Sequence, residues 1–121
     1  EGPDLHPRFG PDGAVVFARG MEGDRSLWRW HDGQLSRIAL PAGMLYGHAA
    51  LPEGGWLLAS DAAGFRALIA LHPDRPGYEL LGARGARFPA AAADGSLVYE
   101  VASYDANIYR HAAAAAAEQL T

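Results

Sequence analysis

The segment His6-Pro7-Arg8-Phe9-Gly10-Pro11-Asp12-Gly13-Ala14-Val15-Val16-Phe17 decides the fold, because its acidic-Gly pair and the apolar run behind it return twice more. The pairs are Asp12-Gly13, Glu53-Gly54 and Asp94-Gly95, each 41 residues from the next. The positions behind them keep step: Val15, Trp56 and Leu97, then Val16, Leu57 and Val98, then Phe17, Leu58 and Tyr99. Self-similarity at such a period is the signature of a repeat architecture. An acidic residue followed by Gly between apolar runs is a hairpin signal. Glycine accepts a positive φ without steric penalty, and Asp hydrogen-bonds the turning backbone.

Outward from each turn, Ala14 to Ala18, Trp56 to Ala59 and Leu97 to Val101 are aliphatic, aromatic or β-branched and too short for helices, so they read as second strands. Third strands follow at Leu27 to Trp30, Leu68 to Leu71 and Ile108 to His111, the last arriving one residue early. Turn signals at Asp32-Gly33 and Pro73-Asp74 lead to outer strands at Leu35 to Ala39 and Tyr78 to Leu81, with Gln119 to Thr121 in the equivalent place. Four short strands per repeat of about 40 residues is the blade of a β-propeller. The expectation is one all-β segment over 1–121, three four-stranded blades at about 4–41, 44–82 and 85–121. These would form about half of a six-bladed ring. The alanine run 112–117 favours helix in isolation, but the repeat places it in an irregular hairpin.

A chain of 121 residues, half of them hydrophobic, has the size and composition of one globular domain. No apolar stretch approaches the length of a membrane helix. Fourteen acidic against ten basic side chains, without a basic cluster, disfavour direct nucleic-acid binding. The lack of cysteine excludes disulfides, thiolate metal sites and cysteine nucleophiles.

The stretch His6 to Gly13 with Val15-Val16-Phe17 resembles the Pro-x-Phe-Ser-Pro-Asp-Gly repeat of TolB-like propellers, with Gly10 in place of the usual Ser. Pro52-Glu53-Gly54 is a degenerate copy, and Pro89 with Asp94-Gly95 keeps the ends of the motif. Leu97-Val98-Tyr99-Glu100 with Tyr104-Asp105-Ala106-Asn107-Ile108-Tyr109-Arg110 is similar to a blade of the propellers attached to bacterial winged-helix transcriptional regulators. That resemblance implies a non-catalytic sensory or protein-interaction module, without a cofactor, in a periplasmic or extracytoplasmic setting. The repeats also resemble the propellers that gate prolyl-oligopeptidase-type enzymes. No Gly-x-Ser-x-Gly nucleophile elbow occurs, so the catalytic machinery of such a parent would lie outside this sequence.

Propeller blades cover one another's faces, so three blades leave two sheet faces open. The expected partners are further propeller blades or a second copy of the chain, with a self-assembling half-ring as the structural alternative. The loops between second and third strands, Arg19 to Ser26, Ser60 to Ala67 and Ala102 to Asn107, lie on one rim beside the channel. Their residues Arg19, Asp24, Arg25, Asp61, Arg66, Tyr104 and Asp105 are the candidate binding set, suited by mixed charge to a peptide or protein loop. His6, His31, His48, His72 and His111 fall at different repeat phases without metal-ligand spacing. Ser26, Ser36, Ser60, Ser96 and Ser103 have no evident base, and Asp12, Glu53 and Asp94 read as turn formers. Trp28, Trp30 and Trp56 are expected to fill the gaps between blades.

Overall fold

The computed structural model describes residues 3–21, 23–101, 109–110 and 118–119, and the described residues form strands and turns without a helix. The alanine run 112–117, Ile108, His111, Tyr104 and Asp105 lie outside the described residues. The first sheet contains β1 (Asp4–Phe9), β2 (Val15–Arg19), β3 (Ser26–His31) and β4 (Gln34–Ile38), hydrogen-bonded in that order. The second repeats it with β5 (Leu45–Ala50), β6 (Trp56–Ser60), β7 (Ala67–Leu71) and β8 (Glu79–Gly82). In the third unit, β9 (Ala86–Ala91) pairs with β10 (Leu97–Val101), and β11 (Tyr109–Arg110) pairs with β12 (Glu118–Gln119). All of these pairings are antiparallel.

The repeated hairpins explain the period. Gly13, Gly54 and Gly95 hold φ of 81°, 100° and 89°, and their amides donate to the carbonyls of Gly10, Leu51 and Ala92. The amides of those three residues donate in turn to the carbonyls of Ala14, Gly55 and Ser96. Asp12 and Asp94 accept from the amides of Ala14 and Ser96 at 3.0 and 2.8 Å. Ala14 is thereby held in the turn, and β2 starts one residue later than the apolar run suggests. At the outer hairpin, Asp32 and Gly33 both take positive φ, the requirement of a two-residue turn, and bring Gln34 opposite His31.

Alternation along the strands sorts side chains between the two faces of each sheet. Val16, Ala18 and Leu27 of the first blade pack with Leu45, Leu58 and Ile69 of the second. From the opposite face of the second blade, Leu57, Ala59, Leu68 and Ala70 pack with Ala86 of the third. Both faces of the central blade are therefore covered. Burial of each of its large side chains, Leu57, Leu58, Leu68 and Ile69, contributes about 1.5–3 kcal/mol.

The first strands converge on the axis. Each is bulged at the same repeat position, His6 (φ 55°), Gly47 (φ 147°) and Phe88 (φ 51°). A Cβ on Gly47 would sit 2.8 Å from the Phe88 amide nitrogen, so β5 and β9 approach this closely only because residue 47 has no side chain. The rings of His6 and Phe88 lie 5.8 Å apart. His48, the next residue on β5, is buried, with Nε2 at 3.2 Å from the Val16 carbonyl oxygen.

The expected inter-blade role of the tryptophans holds for Trp56, which packs at the seam between the first two blades. Trp28 and Trp30 pair in register with Phe17 and Val15 and so point away from the second blade. Trp30 remains 50% exposed on that open face.

Candidate functional site

The rim loops between second and third strands are 20–25 and 61–66, bounded by strands on both sides. Arg19, expected in the first loop, is the last residue of β2, and register with Ser26 puts it on the open face of the first blade. Its Nε and terminal nitrogen donate to Asp4 at 2.7 and 3.2 Å, while the guanidinium lies over the rings of Phe17 and Trp28 at 5.4 and 5.1 Å. The hydrogen bond from Arg19 holds the Asp4 carboxyl below its ordinary pKa. The Trp28 indole N–H donates to Ser26 Oγ at 2.8 Å, and that hydroxyl donates to the Arg19 carbonyl at 3.2 Å.

These contacts shape a cleft of about 430 Å³ walled by Arg19, Met21, Asp24, Ser26, Trp28 and Arg37. A second cleft of about 170 Å³ shares Ser26 and Arg37 and adds Arg25, Ile38, Leu40 and Gly43. Arg37 thus stands between two openings. It escaped the sequence reading because β4 carries no motif, although the register Trp28 to Arg37 follows from a two-residue turn at Asp32-Gly33. Arg25 has its Nε buried without a hydrogen-bond partner among the described residues.

On the second loop, Asp61 ties the connection between blades in place. Its Oδ1 accepts from the Met44 amide at 2.6 Å, and its carbonyl accepts from the Gly64 amide at 2.9 Å. The Tyr46 hydroxyl lies 3.4 Å from Asp61 Oδ2. Gly43, with φ 141°, presses against this carboxylate, leaving no room for a Cβ. Arg66 lies over the Tyr46 ring at 5.1 Å, and its carbonyl accepts from the Gly85 amide at 2.7 Å. The structure therefore brings Arg19 and Asp24 to one cleft and Arg25 to its neighbour, and sets Asp61 behind Gly43. It stacks Arg66 on the next blade connection.

The opposite rim carries a cleft of about 320 Å³ between the hairpins of the first two blades, walled by Pro11, Asp12, Pro52, Glu53, Gly55 and Trp56. Asp12 there pairs with Arg29, and that hydrogen bond, with the one from Ala14, lowers its carboxyl pKa. Among the described residues, no three His, Asp or Glu side chains group as metal ligands.

Three sheets stacked face to face, with first strands innermost and successive sheets joined from fourth strand to first, define a partial β-propeller. The fold is that of TolB-like propellers. In the search of solved structures, TolB from Acinetobacter baumannii matches with a TM-score of 0.65 at 18% identity, covering 93% of this chain. The chain spans 28% of that protein's length. No protein-family model and no curated protein matches the sequence.

Proposed function

We propose that this chain is a non-catalytic binding module of a propeller, whose rim loops take an acidic peptide or protein loop. The resemblance to the sensory propellers of winged-helix regulators, and the extracytoplasmic setting it implies, belong to the same reading. The observation that supports it is the pair of adjoining clefts, where Arg25 and Arg37 flank Ser26 and Trp28 supplies an aromatic wall. Guanidinium groups bind carboxylates through paired, charge-assisted hydrogen bonds, and an indole face adds apolar contact. Arg66 and Asp61 extend the charged rim onto the next blade, with Tyr104 and Asp105 proposed for the third.

Fluorescence anisotropy with a labelled acidic dodecapeptide, and a basic one as comparison, tests the reading. Native chain binds the acidic probe more tightly, and Arg25→Glu with Arg66→Glu weakens that binding about tenfold or more while circular dichroism stays unchanged. Unaltered binding in the double variant removes those residues from the site. Equal or absent binding of both probes refutes the proposed module.

A further inference from the structure

The two open faces of the segment each carry an ion pair between first and second strands, at neighbouring repeat positions. On the first blade, Asp4 opposes Arg19 across β1 and β2. The same pair of positions is Leu45 and Ser60 on the second blade and Ala86 and Val101 on the third, facing the interior seams. On the third blade, Arg87 opposes Glu100 and pairs with it across β9 and β10. The equivalent residues of the first blade are Leu5 and Ala18, and Ala59 in the second opposes the Gly47 bulge. Ala86 is buried against the second blade, so alternation turns Arg87 and Glu100 to the outside. Val16 and Ala18 are buried against the same blade, which turns Arg19 and Asp4 outward at the other end. Positions that are uncharged at both interior seams are thus ion pairs at both ends.

We propose that two copies of this chain join end to end, the third blade of each on the first blade of the other, closing a ring about a two-fold axis. The interior seam supplies the geometry. Val16, Ala18 and Leu27 there meet Leu45, Leu58 and Ile69. Carried one seam further, Val98 and Glu100 of one copy meet Asp4, Phe17 and Trp28 of the other. The ion pairs then cross, Glu100 toward Arg19 and Arg87 toward Asp4, giving alternating charge in a four-membered network. Shape agrees as well: Phe17, Trp28 and Trp30 are bulky where the opposing face offers Ala90 and Val98, the latter 69% exposed. Both seams are identical under the two-fold, so assembly stops at the dimer. The proposal goes beyond the rim-loop reading and does not depend on it; the seam covers Arg19 and Trp28, so in the dimer an acidic peptide is left the neighbouring cleft beside Arg25 and Gly43.

Sedimentation equilibrium of the native chain and two inverted variants tests it. Asp4→Arg with Arg19→Asp reverses the first face, and Arg87→Glu with Glu100→Arg reverses the last, each keeping an ion pair within its own chain. The native chain is expected to dimerise. Each variant alone sets like charges together at both seams and loses about tenfold or more in dimer affinity. Mixing the two variants restores complementary charge at both seams, so the mixture forms a heterodimer that neither forms alone. Val98→Arg, at an exposed position, blocks the native dimer without altering the circular dichroism spectrum. A native chain that stays monomeric across the dilution series, variants that dimerise as well as the native chain, or a mixture that stays monomeric would each overturn the proposal.

Discussion

Replacing His48 by Gln removes one titrating group from the seam between the first two blades. His48 is 2% exposed, and its Nδ1 has no partner among the described residues. Burial lowers its pKa from 6.5 to about 4, reinforced by the nearby positive charge of Arg8 and His6, against the raising effect of the Val16 carbonyl. Since the folded value lies below the unfolded one, the unfolded chain takes up this proton first. The neutral imidazole's stability is complete above pH 6.5 and is lost as pH falls toward 4. The gap between those values corresponds to about 3 kcal/mol. Urea unfolding followed by circular dichroism from pH 7.5 to 4 measures it. The native chain loses about 3 kcal/mol more than His48→Gln over that range, whatever the offset at neutral pH. Groups remote from residue 48 contribute equally to both chains and cancel in the difference. Parallel pH profiles would refute the assignment of a buried neutral imidazole.

Other substitutions probe the packing. Gly47→Ala drives a Cβ to 2.8 Å from the Phe88 amide nitrogen and the Pro89 ring Cδ, and costs more than about 1 kcal/mol in urea unfolding. Ile69→Ala empties a fully buried position in the first seam and costs about 2–5 kcal/mol by the same measurement. Gly33→Val places a β-branched residue at φ 75° in the β3–β4 hairpin, and lowers the thermal midpoint measurably, whereas Gln34→Val just beyond it does not.

The 41-residue period made the turns and most strands legible, because Gly13, Gly54 and Gly95 all need positive φ and apolar runs follow all three. Where strands met turns the reading shifted by a residue, as at Ala14, whose hydrogen bonds belong to the hairpin and not to the ladder. The site was legible only in part. Asp24 and Arg25 border clefts, but Arg19 reads as a loop residue until its register with Ser26 places it on a sheet face. Arg37 had no sequence signal of its own, since a lone cation on an outer strand resembles any solvated one. The tryptophans show the limit of composition: Trp28 and Trp56 look alike as apolar strand residues, and only alternation sends them to different environments. His48 illustrates the same point at the axis. Pro7 and Pro89 hold the equivalent positions in the other repeats, so nothing in the period announces a buried imidazole.

Methyl-to-methyl nuclear Overhauser contacts in an Ala, Ile, Leu and Val labelled chain test the stacking of three blades most directly. The propeller arrangement predicts contacts from Ile69 to residues of the Val16, Leu27 and Leu45 group, and from the Leu57 and Leu68 group to Ala86. Contacts linking Ile69 to Ala86, or none between residues of different repeats, would contradict it.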